Sequence, residues 1–520
     1  MNSKLAGPLT EDQLADLITF FATVIGLLLR LAFPLISSFP LNDGGLFYRM
    51  IRDLQSNGYA LPAFTSYNHA QIPFAYPPLG FYIAGILADL TRVDLLLILR
   101  LLPALVSAAC IPVFYLLAKQ FTPSRTQAAV ATLLFAFAQR VFAWQIMGGG
   151  ITRAFGFLFA LLTIYYASRL FTTQAARFVL WTSIWAALTI LTHPEAILQT
   201  ALAVLILYIF LDLSRKGLVL SVVAAAVILL LTSPWWGSVL SKHGFTPFLA
   251  VWSAASSNSN PLLARPVALF QFLITEEPFL PFIAFFGLLG TFRSLSQRKY
   301  WLPTWMVLPY MLDPRSGPLY TLIPLLLLAS QGLVEVVLPA FNREQGQELT
   351  ALLKSKVSRV FLGFVVLYLA LAGYFSVGKI YGSATLARSQ KEAMSWISQN
   401  TPEDASFILI TNGQPLLDPA SDWFPALTAR RSVATVFGYE WIHDGQFAKR
   451  AEWYSTLQEC TGATAACLTS WAEETSLGFG YVYLQTKTEF SPLKTDLMNS
   501  EGYVLVYEAE NVSIWKRVDH

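Results

Sequence analysis

The stretch SFPLNDGGLFYRMIRDLQSNGYALP, residues 38–62, follows the first long apolar run of the chain and contains Asp43 directly before Gly44 and Gly45. Glycines let the backbone approach a ligand closely, so this loop can hold a carboxylate against a substrate. An aspartate here can equally cap the helix that we expect to begin near Leu46. The loop by itself leaves both interpretations open.

Composition indicates a membrane protein. The chain has 520 residues, of which 55% are hydrophobic and 13% are charged, whereas soluble domains carry about 25% charged residues. The net charge of +3 is too small to indicate a nucleic-acid partner. The first apolar run, residues 14–36, lacks a preceding basic segment and a small-residue cleavage site. We therefore interpret it as a retained membrane span rather than a cleaved signal peptide.

Apolar runs of about 20 residues predict membrane-spanning helices. Eleven candidate spans, some of them short, share this character: 14–37, 97–118, 126–144, 154–171, 178–192, 196–212, 218–236, 278–292, 300–312, 318–339 and 359–380. Lysines and arginines collect in alternate loops, and the positive-inside rule places those loops in the cytoplasm. The alternation requires that the apolar segment 79–91 does not cross, so we predict a re-entrant or interfacial helix there.

The remaining loops then face outward, and they contain the polar motifs: 38–96, 145–153, 193–195, 237–277, 313–317 and the residues after 381. The opposite side carries little beyond positive charge. This asymmetry favours an enzyme acting at the outer surface over a channel, which needs polar groups through its full depth. We expect a multi-pass plasma-membrane protein whose active site is extracytoplasmic.

The C-terminal part of the chain has a different pattern. Strand-length apolar runs at 406–411, 480–485, 503–510 and 512–518 alternate with helix-like segments at 386–400 and 447–459. We therefore predict two domains, a transmembrane domain over 1–382 and a small extracytoplasmic α/β domain over 383–520. In the second domain Cys460 and Cys467 lie close together; they could pair in an oxidising compartment, and two free thiols are the alternative.

Four segments follow the Asp43 loop in a distinctive order: PFAYPPLGFY (73–82), RLLPALVSAACIPVFYLLAKQF (100–121), GGGITRAFGFLFALL (148–162) and DPRSGPLYTLIPLLLLASQGL (313–333). Together with that loop, they resemble the GT-C superfamily of membrane glycosyltransferases over roughly residues 14–380. Oligosaccharyltransferase catalytic subunits, protein O-mannosyltransferases and aminoarabinose transferases share this order. The resemblance implies a polytopic α-helical GT-C fold with about 11–12 transmembrane helices.

The resemblance also implies roles for individual residues. Asp43 matches the first-loop catalytic aspartate, which activates or orients the acceptor. Arg315 matches the arginine that holds the phosphate of a polyprenyl-linked sugar donor. The segment TEEP (275–278) lies where oligosaccharyltransferases carry a loop glutamate, so Glu276 or Glu277 could bind the acceptor or a divalent metal such as Mg²⁺ or Mn²⁺.

Two departures from the oligosaccharyltransferase pattern narrow the prediction. The second external loop, MGGGITRAFG (147–156), has no acidic DxD-like motif, and the Trp-Trp-Asp-Tyr-Gly acceptor motif is absent. An N-glycosylating enzyme is therefore disfavoured. Asp43 with one glutamate is a thin ligand set for a hard cation, which favours the metal-independent branch that uses polyprenyl monophosphate sugars.

The chemistry of such a transfer explains why these residue types suit it. A guanidinium binds the departing phosphate with paired, charge-assisted hydrogen bonds. A carboxylate beside the acceptor hydroxyl removes its proton during attack. We therefore predict an inverting glycosyltransferase that moves a sugar from a polyprenyl-phosphate donor, held in the bilayer, to a glycan, lipid or protein acceptor.

Several further charged residues are weaker candidates. Arg153, beside three glycines, could contact the donor phosphate or mark the membrane interface. His193 and Glu195 lie in a short external turn; they are either ordinary helix-start residues or part of the Asp43 cavity, where they would bind acceptor or metal. Arg30 lies inside the first span, where a charge indicates function unless it extends to the interface.

In the C-terminal domain, Asp422 and Trp423 are candidates for contact with the acceptor, and burial in a folded core is the alternative. Two other functions remain open for the whole chain. A transporter or flippase of lipid-linked sugars would need polar groups and broken helices at mid-membrane, whereas the predicted spans are mostly apolar. The second alternative is a catalytically inactive member of the superfamily whose C-terminal domain binds glycan.

Overall fold

The computed structural model describes residues 10–257, 264–270, 273–341, 348–381, 385–443, 445–486 and 491–518. Up to residue 381 the structure is a helical bundle with one small hairpin. Its helices are α1 (Glu11–Ile36), α2 (Gly45–Ser56), α3 (Leu79–Thr91), α4 (Leu95–Phe121), α5 (Arg125–Phe137), α6 (Gln139–Phe142), α7 (Gly150–Thr173), α8 (Arg177–Ile190), α9 (Pro194–Leu211), α10 (Arg215–His243), α11 (Thr246–Ser257), α12 (Ala264–Phe270), α13 (Phe282–Ser296), α14 (Trp301–Leu312), α15 (Gly317–Gln331), α16 (Leu338–Ala340), α17 (Leu349–Leu352) and α18 (Lys356–Tyr381).

A helix coincides with each of the eleven predicted spans, so the polytopic helical class is confirmed. Within the described residues, seven helices are long and apolar enough to cross a membrane: α1, α4, α7, α9, α10, the continuous segment Gly317–Ala340 and α18. The other four, α5, α8, α13 and α14, are 12 to 15 residues long. At 1.5 Å per residue they reach about 18–22 Å, short of the ~30 Å hydrocarbon core. The predicted span 126–144 is shorter because extended backbone at Ala138 separates α5 from α6.

The bundle is centred on α15, whose residues are almost all buried. Its neighbour α13 packs closely against it because two of the α13 residues at the contact are glycines. A Cβ at Gly287 or Gly290 would overlap Leu325 or the carbonyl of Leu328. Close helix packing of this kind is typical of membrane bundles.

Residues 38–96 and 145–153 keep the names first and second external loop, which refer to their predicted orientation. The first external loop is folded. It contains α2, an antiparallel hairpin of β1 (Phe64–Thr65) and β2 (Ile72–Pro73), and α3. The predicted non-crossing segment 79–91 is the 13-residue helix α3, which packs against α2, α4 and α7. Its length is too small for a span.

The C-terminal part forms a five-stranded sheet with helices, as predicted. The strands are β3 (Ser406–Ile410), β4 (Arg431–Ser432), β5 (Tyr481–Gln485), β6 (Tyr503–Ala509) and β7 (Val512–Arg517), in the order β4-β3-β5-β7-β6. The helices are α19 (Arg388–Asn400), α20 (Pro419–Thr428), α21 (Phe447–Glu459), α22 (Ala465–Thr475) and α23 (Pro492–Asn499). Strand β3 is parallel to β4 and β5, and the remaining pairs are antiparallel.

The predicted domain boundary at 382/383 lies outside the described residues. In the sheet domain Cys460 and Cys467, left open by the sequence, form a disulfide with Cα atoms 5.7 Å apart. The domain packs on the first external loop, chiefly through α20 against α2. One apolar core includes residues of both, among them Ile51 and Phe424. This packing places the C-terminal domain directly beside Asp43.

Candidate active site

Asp43 forms a two-pronged ion pair with Arg153 of α7. Arg153 Nη1 donates to Oδ2 at 2.8 Å and Nη2 donates to Oδ1 at 2.9 Å. The backbone N–H of Gly149 donates to Oδ1 at 3.1 Å. Burial raises the pKa of Asp43, but the charge and hydrogen bonds of Arg153 and the Gly149 N–H outweigh it, so the pKa lies below its ordinary value. Asp43 is therefore a carboxylate anion at neutral pH.

Asp43 does not cap α2. The N-cap residue is Gly44, at φ 135°, a conformation that favours glycine. The first N–H groups of α2 donate instead to the carboxylate of Asp422, 378 residues further along the chain. This distant cap leaves the carboxylate of Asp43 free to face Arg153.

The glycines of the second external loop bring α7 close to Asp43. A Cβ at Gly148 would overlap the Asp43 carbonyl, and one at Gly149 would lie 2.6 Å from Asp43 Oδ2. Helix α7 begins at Gly150, so Arg153 lies in its first turn, one turn from the Gly149 N–H. The GGG sequence thus allows the contact between this helix end and the aspartate.

A second ionic cluster contains Arg315, Glu195 and His193. Arg315 Nε contacts Glu195 Oε1 at 2.9 Å, and Glu195 Oε2 lies 3.5 Å from His193 Nε2. His193 Nδ1 is hydrogen-bonded to the Tyr76 hydroxyl at 2.7 Å. The Arg315 side chain is 64% exposed, so solvent or a ligand can reach the guanidinium beside its contact with Glu195.

Both clusters line one cavity of about 390 Å³, within the roughly 300–1,000 Å³ typical of small-molecule sites. Its walls come from the Asp43 loop, residues 140–153, the start of α9, the 313–317 turn, the first residues of α15 and the C-terminal domain. The lining residues are Asp43, Arg140, Trp144, Gln145, Arg153, His193, Glu195, Arg315, Ser316, Leu319, Tyr320, Leu416 and Leu417. The structure therefore brings Asp43, Arg153, His193, Glu195 and Arg315 together.

The two glutamates of the TEEP segment have different positions. Glu276 forms an ion pair with Arg140, which lines the cavity. Glu277 accepts from the N–H groups of Ile283 and Ala284 at the start of α13, and burial raises its pKa to about 7. Glu277 therefore caps a helix and does not line the cavity, so the expectation that it binds acceptor or metal does not fit this geometry.

Asp422 and Trp423 also lie away from the cavity. Their exposed fractions are 1% and 0%. Asp422 caps α2, and Trp423 Nε1 donates to the carbonyl of Asn42 at 2.9 Å. Both side chains hold the C-terminal domain against the first loop. Because this packing buries them, the expectation that they contact an acceptor does not fit the structure.

The residues of the cavity do not fit a divalent metal. Across the part of the chain that the structure describes, no group of three or more His, Cys, Asp or Glu side chains could hold a metal ion. Asp43 is paired with Arg153, and Glu195 is paired with Arg315. Mg²⁺ is usually held through one or two carboxylates together with waters, whereas both of these cavity carboxylates are paired with arginines.

Some cavity residues were not predicted from the sequence. Arg140 was assigned to a membrane span, although a charge near a span end was an available signal. Leu416 and Leu417 come from a loop of the C-terminal domain whose sequence has no chemical signature. Arg30 is not among the lining residues of this cavity; it is fully buried and donates to Gly26, Ser107 and Ala136.

Several solved structures share the fold of this chain. The archaeal oligosaccharyltransferase AglB from Archaeoglobus fulgidus, in complex with an inhibitory peptide and a dolichol-phosphate, matches with a TM-score of 0.58 at 15% identity, over 91% of this chain and 69% of that chain. ArnT from Cupriavidus metallidurans, bound to undecaprenyl phosphate, matches with a TM-score of 0.55 at 16% identity, over 97% of this chain and 98% of that chain. The arabinofuranosyltransferase AftD from Mycobacteria matches with a TM-score of 0.55 at 14% identity, over 99% of this chain and 40% of that chain.

The chain therefore shares the fold of these structures, which confirms the GT-C fold predicted from its motifs. Residues 75–237 also match the family model of dolichyl-phosphate-mannose-protein mannosyltransferases. This segment runs from the end of the first external loop into α10 and includes Arg153, His193 and Glu195 of the cavity. A search of curated protein sequences returned no match.

Proposed function

We propose that the protein is an inverting glycosyltransferase that moves a sugar from a polyprenyl-phosphate donor to an acceptor at the extracytoplasmic membrane surface. The observation that carries this proposal is the shared cavity, in which the Asp43 carboxylate and the Arg315 guanidinium line the same space. Transfer from a sugar phosphate needs a group that binds the phosphate and a group that activates the acceptor, and Arg315 and Asp43 supply these two groups in one cavity.

Arg315 binds the donor phosphate in this proposal. Glu195 holds its Nε at 2.9 Å and so fixes the plane of the guanidinium. Arg315 lines the cavity, and a guanidinium can donate two parallel bonds to phosphate oxygens. Charge that develops on the phosphate as the bond to the anomeric carbon breaks is stabilised by these bonds.

Asp43 receives the acceptor. Among the described residues, Arg153 and Gly149 each donate to Oδ1, and Arg153 also donates to Oδ2. Since a carboxylate oxygen has two lone pairs, Oδ2 retains one for the acceptor hydroxyl. The acceptor oxygen attacks the anomeric carbon as the phosphate leaves, and its proton moves toward Asp43 and then to solvent. Because its pKa is lowered, Asp43 can orient the acceptor hydroxyl and accept its proton transiently, but it does not remain protonated at neutral pH.

Three features support the outer surface as the place of reaction. Seven cavity residues come from loops that the charge pattern assigns to that side (38–96, 145–153, 193–195 and 313–317): Asp43, Gln145, Arg153, His193, Glu195, Arg315 and Ser316. The disulfide-bonded C-terminal domain contributes to the same cavity, and disulfides persist in oxidising compartments. The isoprenoid chain of a donor remains in the bilayer, so its phosphate reaches only sites at the membrane surface.

The test is a transfer assay with the purified full-length protein. Radiolabelled polyprenyl monophosphate sugars are incubated with candidate glycan, lipid and protein acceptors, with and without EDTA. We expect label to move to an acceptor at equal rates in both arms, because the cavity carboxylates are paired with arginines rather than arranged for a metal. Loss of transfer with EDTA would contradict metal independence. Movement of labelled donor across vesicles without any transfer would contradict the proposal and favour the transporter alternative.

A further inference from the structure

The N-terminus of α2 is capped by a residue of the other domain. Asp422 Oδ2 accepts from the N–H groups of Gly44 and Gly45 at 2.7 and 2.8 Å, and Oδ1 accepts from Leu46 at 3.1 Å. Helices usually receive this cap from a Ser, Thr, Asp or Asn side chain at the N-cap itself. Gly44 at the N-cap of α2 has no side chain to supply it.

Further contacts attach the same short segment to α20. Trp423 Nε1 donates to the Asn42 carbonyl at 2.9 Å, and the Tyr67 hydroxyl donates to the Asp422 carbonyl at 2.8 Å. A Cβ at Gly45 would lie 2.7 Å from the Asp422 carbonyl carbon and 2.9 Å from Trp423 Cα. Residues on both sides of Asp43 are therefore held by one turn of the C-terminal domain.

We infer that Asp422 is a positioning residue for Asp43, keeping the carboxylate directed at Arg153 and the cavity. This inference rests on the proposed function. Asp43 directly precedes the N-cap of α2, so it is the nearest carboxylate that could take over the cap. An uncapped helix N-terminus attracts a carboxylate. With Asp422 in place the α2 N–H groups are satisfied, and Asp43 has no competing partner there.

The two carboxylates are close enough to interact electrostatically. Burial and then the negative charge of Asp43 raise the pKa of Asp422 to about 7, against the three N–H groups that favour its anion. Tyr67 is the other titratable group in contact with Asp422. A substitution of Asp422 therefore changes both the backbone and the field around Asp43.

The experiment compares Asp422→Asn with the matched control Asp418→Asn in the full-length protein. Asp418 caps α20 from the same buried turn, accepting from Ala420 N at 2.9 Å and from Thr411 and Tyr454, without contact to the first loop. Asp422→Asn replaces an acceptor oxygen by an NH₂ group facing backbone N–H donors. Three readouts are taken: kcat, the donor KM, and hydrogen–deuterium exchange of residues 43–50.

For Asp422→Asn we expect kcat to fall roughly 10- to 100-fold, as for a displaced catalytic group, with the donor KM nearly unchanged because Arg315 lies on another element. Exchange in the first turn of α2 should accelerate. In an Asp43→Asn background, Asp422→Asn should cause no further loss of the residual transfer. Asp418→Asn should leave exchange in this turn unchanged and reduce kcat far less.

Equal losses of kcat in the Asp418 and Asp422 variants would overturn the inference, as would unchanged exchange at 43–50 or an additive loss in the Asp43→Asn background. If Asp422→Asn fails to fold, Gly45→Ala disturbs the same contact from the first loop and must show the same KM and exchange pattern. If the unaltered protein transfers no sugar, the proposed function fails, and the exchange measurement still decides whether Asp422 holds this loop.

Discussion

Substituting Gly149 by alanine should displace the Asp43 carboxylate without straining the backbone. Gly149 has φ −67° and ψ −8°, which alanine adopts freely. Its new methyl group would lie 2.6 Å from Asp43 Oδ2 and 2.8 Å from Cγ. Asp43 cannot rotate away without breaking its bonds to Arg153, so the clash is transmitted to the position of the carboxylate.

The size of the effect follows from these distances. Ordinary van der Waals contact begins near 3.4 Å, so the carboxylate must move by about 0.8 Å relative to Gly149. A misplacement of about 1 Å can reduce catalysis on the order of 100-fold. We therefore expect a 10- to 100-fold fall in kcat for Gly149→Ala, about 1.4–2.7 kcal/mol in the activation free energy. The donor KM should stay nearly constant, because the three atoms nearest the new methyl group all belong to Asp43 and none belongs to Arg315.

The assay is steady-state transfer with purified Gly149→Ala protein, and the control is Gly237→Ala. Gly237 lies in α10, and a Cβ there would have no neighbour within 4 Å, so transfer should be unaffected. Thermal melting of both variants excludes global unfolding as the cause. Full activity in a folded Gly149→Ala protein would refute the view that the position of the Asp43 carboxylate limits transfer.

Three further predictions concern stability. Because the pKa of Asp43 is lowered in the folded state, the Asp43–Arg153 pair should stabilise the protein at neutral pH and lose this contribution as the pH falls below about 4. The Tm difference between the unaltered protein and Arg153→Gln should therefore shrink below about pH 4. A constant Tm difference down to about pH 2.5 would contradict this prediction. Because the pKa of Glu277 is raised to about 7, the folded protein binds a proton that the unfolded protein has released, and it loses stability as the pH rises from about 4.5 to 7. The Tm of Glu277→Gln should not show this decline. If the Tm of both proteins fell in parallel over this pH range, the prediction would be wrong. Replacing Cys460 by serine opens a loop closed across a sequence separation of 7 and should lower stability by about 2–3 kcal/mol, whereas an unchanged denaturation midpoint under oxidising conditions would argue against a disulfide in solution.

The membrane bundle and the secondary structure of the C-terminal domain could be predicted because local patterns determine them. Apolar runs predict helices such as α4 and α18, and alternating short runs predict strands such as β3 and β7. Helix lengths were less predictable, because residues like Ala138 end a helix inside a continuous apolar run. Local hydrophobicity carries no signal for that change of backbone.

The candidate site was predictable only where a residue had an unusual local setting. Asp43 before two glycines and Arg315 after a proline stood out, and both line the cavity. The roles of Asp422 and Glu277 were not accessible, because each depends on contacts made only after folding. Asp422 caps a helix 378 residues away, and no spacing rule relates positions so far apart.

The most direct test of the central claim measures donor binding and transfer separately in two variants, Asp43→Asn and Arg315→Gln. The shared cavity predicts that Asp43→Asn binds the polyprenyl-phosphate sugar with unchanged Kd and loses transfer by about 100-fold or more. Arg315→Gln should weaken donor binding about tenfold or more, since a charged phosphate contact is removed. Normal donor affinity in Arg315→Gln, or normal transfer in Asp43→Asn, would contradict the claim that these two residues act on one sugar phosphate.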